Sequence, residues 1–537
     1  MQKLLLLGDE AIAQAGIDSG MSGMYAYPGT PSTEIMEYVQ SSHEATSKGI
    51  HNRWSANEKT AMEAALGMSY AGKRAMVAMK HVGLNVAADG FINAAITGVN
   101  GGLIVVAADD PSMHSSQNEQ DSRFYARFSF VPVLEPSSQQ EAYDMVFAGF
   151  EISEAFKVPV MLRVTTRLAH SRSAVARKPG RAQNNISLPS DPRQFVLLPA
   201  IARKRYHGLL GIYDSLRTDN LLSGFNTFVS GSDRRLGVIA FGIAHNYLME
   251  NYPDRNVPFS VLKITAYPVD NRLFEKIAES CDEILILEEG YPIVEELMRG
   301  ILPGGKPVRG RLDGTVPREG ELNPNIVARA LGMKSDTGGE VPDVVKMRPP
   351  SFCKGCGHAD VYSALGEALS GYSPGRVFSD IGCYTLGALP PYNAINSCVD
   401  MGASVTMAVG AADAGLIPAV AVIGDSTFTH SGMTGLLDAV MKESPVTVII
   451  SDNSTTGMTG GQQSHATDRL EGICFGLGVD SEHVRVIIPL RKNHVENVEI
   501  IKEELSYQGV SVIIARRECI QTATRKKKES AKETGKN

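Results

Sequence analysis

The stretch Ala419-Val-Ala-Val-Ile-Gly-Asp-Ser426 decides the fold of this chain. It begins as a short apolar run rich in β-branched residues, which predicts a buried strand followed by a turn. A second apolar strand, Val446 to Ile450, follows a helix-like segment and ends in Ser451-Asp-Asn-Ser454. Strand, helix and strand in this order predict two parallel strands whose polar ends, Asp425 and Asn453, lie at one edge of a sheet.

The residues at these two strand ends suit a metal ion and a phosphate group. The carboxylate of Asp425 and the amide oxygen of Asn453 are hard ligands, which Mg²⁺ prefers beside phosphate oxygens. Gly424 would let the backbone approach a phosphate closely. The alternative is an ordinary strand-to-helix turn in which Asp425 or Ser426 caps the helix. The two paired strand ends and the polar run Thr455 to Gln462 favour the metal site.

The alternation of apolar strands with helical patterns continues along the chain and predicts parallel sheets covered on both faces. The sequence predicts a helix over Ser55 to Ala71, followed by the strand Ala75 to Met79. Two stretches rich in Pro, Gly or polar residues, Ser171 to Pro199 and Gly332 to Pro350, interrupt the pattern and predict domain boundaries. The predicted strands are Ala75 to Met79, Leu103 to Ala107, Val158 to Val164, Val238 to Phe241, Ile284 to Leu287, Ala419 to Ile423, Val446 to Ile450 and Val510 to Ile514.

Composition excludes several classes of protein. A net charge of −7 over 537 residues provides no general basic field, which argues against binding nucleic acid. The first apolar run, Leu4 to Leu7, predicts a strand and is too short for a signal segment, and no run approaches the roughly 20 residues of a membrane helix. Seven cysteines without signs of secretion favour reduced thiols or metal ligands over disulfides. We therefore expect a cytoplasmic protein.

Six longer motifs resemble the alpha subunit of indolepyruvate:ferredoxin oxidoreductase, which belongs to the thiamine-diphosphate-dependent 2-oxoacid:ferredoxin oxidoreductases. The resemblance runs from the first strand to about Cys519. It includes the thiamine-diphosphate motif, a Gly-Asp pair followed by Asn453, with Ser426 where the family usually has Gly. The motifs are Tyr27-Pro-Gly-Thr-Pro-Ser-Thr-Glu34, His114-Ser-Ser-Gln-Asn-Glu-Gln-Asp121, Ser351-Phe-Cys-Lys-Gly-Cys-Gly-His358, Ser379-Asp-Ile-Gly-Cys-Tyr-Thr-Leu-Gly387, Met401-Gly-Ala-Ser404 and Asp425-Ser-Thr-Phe-Thr-His-Ser-Gly432.

The resemblance implies an α/β, multidomain thiamine-diphosphate-binding fold. Two doubly wound parallel-sheet domains, PYR-like and PP-like, are expected to flank a smaller α/β domain. The predicted division is a pyrimidine-binding domain over residues 1–175, a connector over 176–230, a domain resembling the transketolase C-terminal domain over 231–335, a diphosphate-binding domain over 345–520 and a basic disordered tail over 521–537.

The resemblance also assigns residues to the cofactor. Asp425, Asn453 and the carbonyl of Thr455 are expected to hold Mg²⁺. The diphosphate and the neighbouring part of the cofactor are expected to lie against Gly382, Cys383, Gly424 and Ser426.

The resemblance implies that Glu58, in the motif Ser55-Ala-Asn-Glu58 at the start of a helix, is the acid that hydrogen-bonds to the aminopyrimidine ring. The alternative is a first-turn Glu stabilised by the helix dipole. Thr30 resembles the threonine near the substrate carboxylate, and a plain helix cap is its alternative. His81, His114 and His430 are candidates for contacting the reacting carbon or the carboxylate, although a lone histidine more often makes a structural hydrogen bond.

Cys353, Cys356, Cys383 and Cys519 resemble the cysteines that hold a 4Fe–4S cluster near the thiamine in the wider family. Four thiolates suit such a cluster, and zinc with the same ligands is chemically possible. The alternative is a structural Cys-Lys-Gly-Cys turn with Cys519 simply buried.

The function implied by the resemblance is oxidative decarboxylation of arylpyruvates to aryl-acetyl-CoA. The expected partners are coenzyme A, a gamma-type small subunit in a dimer of heterodimers, and ferredoxin or a similar electron acceptor. The chain ends at Asn537 without the usual ferredoxin-like domain, so we expect a separate electron carrier. Two alternatives stay open: a non-oxidative thiamine-dependent decarboxylase and a catalytically silent scaffold subunit.

Overall fold

The computed structural model describes residues 3–191, 193–219, 222, 224–299, 305–335, 341–346 and 350–534, with side chains to residue 528. The chain divides into two compact units, Met1–Gly339 and Glu340–Asn537, here called the N-terminal and C-terminal units. This division falls inside the predicted boundary Gly332 to Pro350. The finer domain boundaries stay predictions.

The N-terminal unit contains two larger sheets and one two-stranded ribbon. Its strands are β1 Lys3–Leu7, β2 Gly23–Ala26, β3 Ala75–Lys80, β4 Leu103–Asp109, β5 Val133–Leu134, β6 Val160–Thr165, β7 Arg172–Ala176, β8 Thr227–Val229, β9 Asp233–Phe241, β10 Phe259–Ile264, β11 Ala266–Tyr267, β12 Glu283–Leu287 and β13 Val308–Arg309. Its α-helices are Gly8–Asp18, Thr33–Ser41, His43–Ser47, Glu58–Tyr70, His81–Thr97, Arg123–Ser129, Gln139–Phe156, Thr166–His170, Pro199–Leu216, Ala244–Glu250, Asn271–Ser280, Ile293–Arg299 and Pro324–Ala330.

The first sheet has the order β11-β5-β6-β4-β3-β2, and β2, β3, β4 and β6 run parallel. Helices cover both faces, because alternate residues of β3 enter different cores. Met76 and Ala78 pack in the core that includes helix Gly8–Asp18, whereas Val77 and Met79 pack in the core that includes helices Glu58–Tyr70 and His81–Thr97. The prediction of an α/β fold with parallel sheets is confirmed.

The second sheet has the order β13-β12-β9-β10-β8, in which only β8 is antiparallel to its neighbour. Buried charges join it to the first sheet. Arg163 of β6 donates to Asp109 at 2.6 Å and to the carbonyl of Glu289, just beyond β12, at 3.0 Å. Burial of the Arg163 guanidinium group is tolerated because the group has an acidic partner in Asp109.

The C-terminal unit is built around one six-stranded parallel sheet of order β15-β14-β16-β17-β21-β20, with a small β18–β19 hairpin beside it. Its strands are β14 Val377–Ser379, β15 Ser397–Cys398, β16 Ala419–Gly424, β17 Val446–Asp452, β18 Thr455–Thr456, β19 Gln462–Gln463, β20 Val484–Ile487 and β21 Ser511–Arg516. Its α-helices are Gly357–Ala368, Ala403–Asp413, Asp425–Thr427, Met433–Met441, Leu470–Gly476, His494–Ser506 and Ile520–Thr534, with a π-helical turn at Phe428–Gly432.

The predicted disordered tail is wrong for most of its length. Residues Ile520–Thr534 form a helix, and 535–537 lie outside the described residues. The segment contains no Gly or Pro, and tertiary hydrogen bonds fix its first turns. Gln521 donates to the Cys353 sulfur at 3.4 Å, and Arg525 donates to the carbonyls of Gly460 and Gly461 at 2.8 and 3.0 Å.

Candidate functional site

The sheet of the C-terminal unit brings the two predicted strand ends together. Strands β16 and β17 are parallel, with Gly424 opposite Ser451, so the chain leaves both strands at the same edge. Beyond them, Ser426 Oγ lies 2.8 Å from Thr456 Oγ1, which joins the two loops. Polar groups from both loops therefore line one edge of the sheet, where ligands bind in open parallel sheets.

Asp425 is buried at this edge of the sheet, and one of its carboxylate oxygens has no hydrogen-bond partner among the described residues. The residue is 2% exposed, and its Oδ2 atom makes no hydrogen bond with the described residues. Burial, with the neighbouring Asp452 carboxylate, raises the pKa of Asp425 to about 7. A buried carboxylate oxygen without a protein partner is stabilised by a cation or a proton, so the site fits Mg²⁺.

Asn453 is oriented by His358, a residue that the sequence analysis did not single out. Asn453 Nδ2 lies 3.2 Å from His358 Nε2, and Asn453 Oδ1 accepts from the Thr455 N–H at 3.1 Å. Burial lowers the pKa of His358 to about 4, so the neutral ring accepts this hydrogen bond. Asn453 Oδ1 then faces away from His358 and keeps a lone pair for a metal. The sequence signal that could have identified His358 was its position two residues after the motif Cys353-Lys-Gly-Cys356.

Tyr384 explains why glycine is present at two predicted cofactor positions. A Cβ atom on Gly382 or Gly424 would lie 2.2 or 2.5 Å from Cε1 of the Tyr384 ring. The Tyr384 hydroxyl group donates to the carboxylate of Asp380, and burial raises the pKa of Asp380 to about 6. Both glycines are thus required by the packing of this ring, and their contact with a diphosphate stays a prediction.

Four cysteines line one cavity of about 160 Å³ in the C-terminal unit, together with Asn453. They are Cys353, Cys356, Cys383 and Cys519. Burial, with the neighbouring thiols of the other three, raises the pKa of Cys383 to about 11. The Cys519 N–H donates to the Asn453 carbonyl at 3.1 Å, which connects this group to the polar strand ends.

The spacing of these thiols can be compared with that of a zinc site, the alternative considered from the sequence. In a tetrahedral zinc site the sulfur atoms lie about 3.8 Å apart, from Zn–S bonds of about 2.3 Å. Among the described residues, no three of these sulfur atoms lie within 4.8 Å of one another. Four thiolates around one cavity are the ligand set of a 4Fe–4S cluster, and the identity of a metal at these cysteines stays a prediction.

His430 lies in the π-helical turn Phe428–Gly432, directly after Asp425–Thr427. The ring is buried, and its Nδ1 atom lies 2.6 Å from Ser431 Oγ. Single π-helical turns inside α-helices are frequent at functional sites. A contact between His430 and a substrate stays a prediction.

In the N-terminal unit, Glu58 is buried at the first turn of helix Glu58–Tyr70. Asn57 caps this helix by accepting from the Thr60 N–H at 2.8 Å. A Cβ atom on Gly83 would lie 2.5 Å from Glu58 Oε1, so the glycine allows helix His81–Thr97 to pack directly against the carboxylate. Trp54 is bridged to the end of β2, which brings Glu58 to the carboxyl edge of the first sheet.

Thr30 lies at the same edge, in the loop after β2, beside a lysine that the sequence analysis missed. Ser115 Oγ donates to the Thr30 carbonyl at 3.2 Å, and Lys80 Nζ donates to the Ser115 carbonyl at 2.9 Å. Burial lowers the pKa of Lys80, while Asp110 and Glu58 act in the opposite direction. The sequence signal that could have identified Lys80 was its charge at the carboxyl end of the apolar strand β3.

The two remaining histidines differ in their surroundings. His81 is buried, with Nε2 lying 3.1 Å from the Asn118 carbonyl, and its Nδ1 atom makes no hydrogen bond with the described residues. The side chain of His114 is 52% exposed, and its Nε2 atom lies 3.5 Å from Glu321 Oε2. The structure therefore directs His114 toward Glu321 and solvent. Contacts of either histidine with a substrate stay predictions.

Comparison with known proteins identifies the family. A family profile described as pyruvate flavodoxin/ferredoxin oxidoreductase, thiamine diphosphate-binding, matches residues 14–197. A profile for the C-terminal thiamine pyrophosphate-binding domain of thiamine pyrophosphate enzymes matches residues 380–488. Indolepyruvate oxidoreductase subunit IorA of Archaeoglobus fulgidus is 38% identical over 546 residues, covering 96% of this chain and 86% of that protein. The chain belongs to the IorA family.

Other comparisons agree with membership of the IorA family. The IorA subunit of Pyrococcus abyssi is also 38% identical, with the same coverage of both chains. A solved structure of 2-oxoglutarate:ferredoxin oxidoreductase from Magnetococcus marinus is similar in fold, with a TM-score of 0.51 and 16% identity over 62% of this chain and 65% of that chain. This likeness shows the fold alone, whereas the two profile matches place the chain among the thiamine-diphosphate-dependent oxidoreductases. Within the described residues, every helix is too short or too polar to cross a membrane.

Proposed function

We propose that this chain is the catalytic subunit of an enzyme that oxidatively decarboxylates arylpyruvates such as indolepyruvate or phenylpyruvate. The observation that carries the oxidative part is the group of four cysteines around one cavity beside Asn453. A non-oxidative decarboxylase has no use for a one-electron centre there. The aryl preference is supported by the IorA relatives at 38% identity, which are named for indolepyruvate.

The edge of the C-terminal sheet is proposed to hold the cofactor. Asp425, Asn453 and the carbonyl of Thr455 would bind Mg²⁺, and the orphaned Oδ2 atom of Asp425 supports this assignment. Ser426 and the backbone beside Gly424 would face the diphosphate. Thiamine diphosphate, when bound, supplies the electron sink for decarboxylation.

Residues of the N-terminal unit are proposed to manage protons and the substrate carboxylate. Glu58 would hold a proton at its carboxyl group and donate a hydrogen bond to the pyrimidine ring. Lys80, half-buried close to the Thr30 loop, would attract the carboxylate of a 2-oxoacid. Helix His81–Thr97 packs against Glu58 and helps to exclude water from its carboxylate.

The cysteines at positions 353, 356, 383 and 519 are proposed to hold a 4Fe–4S cluster that removes electrons one at a time. The overall reaction would convert an arylpyruvate, coenzyme A and two oxidised acceptors into aryl-acetyl-CoA, carbon dioxide, two reduced acceptors and a proton. Ferredoxin or a similar carrier would accept the electrons. We also propose a gamma-type partner subunit, a dimer of heterodimers and a cytoplasmic location.

The proposal can be tested with the chain co-expressed anaerobically with its partner subunit. With coenzyme A present, reduction of a viologen dye should be faster with indolepyruvate and phenylpyruvate than with pyruvate or 2-oxoglutarate. The purified complex should contain iron. Turnover of aliphatic 2-oxoacids alone would contradict the aryl assignment, and decarboxylation to aldehyde without dye reduction or iron would support the non-oxidative alternative.

The role of Glu58 can be tested by the variant Glu58→Gln in the same complex. We expect dye reduction to fall about 10²- to 10⁴-fold, because the amide cannot exchange the proton that the carboxyl group carries. Binding of thiamine diphosphate, measured by calorimetry, should change little, because the proposed metal ligands lie in the other unit. Glu63→Gln, on an exposed turn of the same helix, is the control. Unchanged activity of Glu58→Gln would remove Glu58 from the mechanism.

A further inference from the structure

A second group of potential metal ligands lies in the N-terminal unit, apart from the residues assigned to the cofactor. Asp9 is in helix Gly8–Asp18, Glu34 in helix Thr33–Ser41, and His170 is the last residue of helix Thr166–His170. One ligand atom from each of these side chains lies within 4.8 Å of the other two. Three helices distant in sequence thus direct one imidazole and two carboxylates to a single point.

Asp9 is the unusual member of this group. It is fully buried, and neither of its carboxylate oxygens has a hydrogen-bond partner among the described residues. Two other buried acids of the same unit have guanidinium partners: Asp109 accepts from Arg163 and Asp121 accepts from Arg123. An ionised carboxylate without a partner is costly to bury, so a missing cation or a bound proton is indicated at Asp9.

The close packing of backbone holds Asp9 in this position. A Cβ atom on Gly8 would lie 2.2 Å from the carbonyl oxygen of Leu168, so the start of helix Gly8–Asp18 rests on the segment that ends at His170. Asp9 therefore lies where these two helices meet, and the partly exposed side chains of Glu34 and His170 complete the group.

We infer that Asp9, Glu34 and His170 bind a divalent metal ion, with Zn²⁺ as the ion that the donor set fits. His170 Nε2 lies 3.5 Å from Glu34 Oε2, close to the separation of about 3.4 Å between two ligands of a tetrahedral ion with bonds of about 2.1 Å. Imidazole with carboxylate suits zinc, whereas Mg²⁺ and Ca²⁺ prefer oxygen ligands alone.

The site has a path for the ion. The side chains of Glu34 and His170 are each 34% exposed, whereas Asp9 lies beneath them. Zinc would enter from solvent past these two side chains and keep a water molecule as its fourth ligand.

The ion would fix the loop that carries Thr30. Glu34 follows Thr30 by four positions, and the loop between them is closed by two hydrogen bonds. The Gly29 N–H donates to Thr33 Oγ1 at 3.0 Å, and Ser32 Oγ donates to the Gly29 carbonyl at 2.8 Å. A metal at Glu34 would tie this loop to helix Gly8–Asp18. Zinc binding itself does not depend on the proposed function.

The test is a zinc titration of the complete complex, with the iron and thiamine sites filled and weakly bound metal removed by a chelator. Bound zinc and the thermal unfolding midpoint are measured for the wild-type protein and Asp9→Asn. The wild-type chain should bind one more zinc than the variant, and its midpoint should rise by about 5 °C. Without zinc, Asp9→Asn should be at least as stable as the wild type, because the amide carries no charge to bury.

Two further variants complete the test. His170→Gln changes a partly exposed ligand, so it keeps the test decisive should Asp9→Asn not fold, and it should also lose one zinc. The control is His494→Gln, because His494 forms a surface pair with Glu367 at 2.7 Å but has no third ligand nearby among the described residues. Equal zinc binding by the wild type, Asp9→Asn and His170→Gln, or an unchanged wild-type midpoint on adding zinc, would overturn the inference.

Discussion

Gly83 sets the distance between helix His81–Thr97 and the Glu58 carboxylate. Its missing side chain leaves the space in which a Cβ atom would lie 2.5 Å from Glu58 Oε1. We expect Gly83→Ala to displace this carboxylate and to lower dye reduction by about 100-fold, since a displacement of about 1 Å is enough for such a loss. Thiamine diphosphate affinity, measured by calorimetry, should stay close to the wild-type value.

Gly90→Ala is the matched control, because Gly90 lies on the same helix and a Cβ atom there would meet the Met62 side chain at 3.3 Å and the exposed Glu63 side chain at 4.0 Å. This control should keep nearly full activity. If Gly83→Ala were as active as Gly90→Ala, the position of the Glu58 carboxylate would not matter for turnover.

Among single residues, the sequence predicted those whose position in the site follows from the strand or motif that contains them. Asp425 could be placed because it directly follows an apolar strand, and Glu58 because it lies in a recognisable motif. His358 and Lys80 could not, because their significance depends on neighbours distant in the chain. His358 orients an asparagine 95 positions away, and Lys80 contacts a loop 35 positions away.

Among the secondary-structure elements, helix Ile520–Thr534 differs most from the expectation. Its charged sequence has no apolar stripe that predicts packing, so only tertiary contacts reveal the helix. The strands that were predicted are short, buried apolar runs, as β16 and β17 show, whereas polar strands such as β19 Gln462–Gln463 were not predicted. Local sequence therefore predicted the central strands of the sheets but not an element fixed by hydrogen bonds to a distant loop.

This helix is expected to protect the proposed iron–sulfur cluster. Arg525 donates to the carbonyls of Gly460 and Gly461, and a Cβ atom on Gly457 in the same loop would lie 3.2 Å from the Cys383 sulfur. Arg525→Gln should loosen this loop by about 1 kcal/mol, so a chelator should remove iron about fivefold faster.

The exposed Lys527 on the same helix provides the control variant Lys527→Gln, which should release iron at the wild-type rate. Equal rates for Arg525→Gln and Lys527→Gln would show that the hydrogen bonds of Arg525 do not protect the cluster.

In the molecule as a whole, the stability of the N-terminal unit is expected to vary with pH, because acidic side chains are buried between its two larger sheets. The Glu289 carbonyl accepts from Arg163, and Glu289 Oε2 accepts from the Leu322 N–H at 3.0 Å. Burial raises the pKa of Glu289 to about 8. The folded chain thus retains a proton here at neutral pH, whereas the unfolded chain releases it near the ordinary pKa of 4.5.

The sign of the resulting pH dependence follows from this difference in bound protons. Between about pH 5 and pH 8 the folded state binds more protons at Glu289, so the free energy of unfolding should fall as pH rises, by up to about 1.4 kcal/mol per pH unit. Glu289→Gln should lose less stability than the wild type over this range. Urea unfolding followed by fluorescence of Trp54, the single tryptophan, reports on this unit. The control is Glu275→Gln, at an exposed position on helix Asn271–Ser280, whose free energy of unfolding should depend on pH as in the wild type. If Glu289→Gln showed the same pH dependence as these two proteins, Glu289 would release its proton at an ordinary pH.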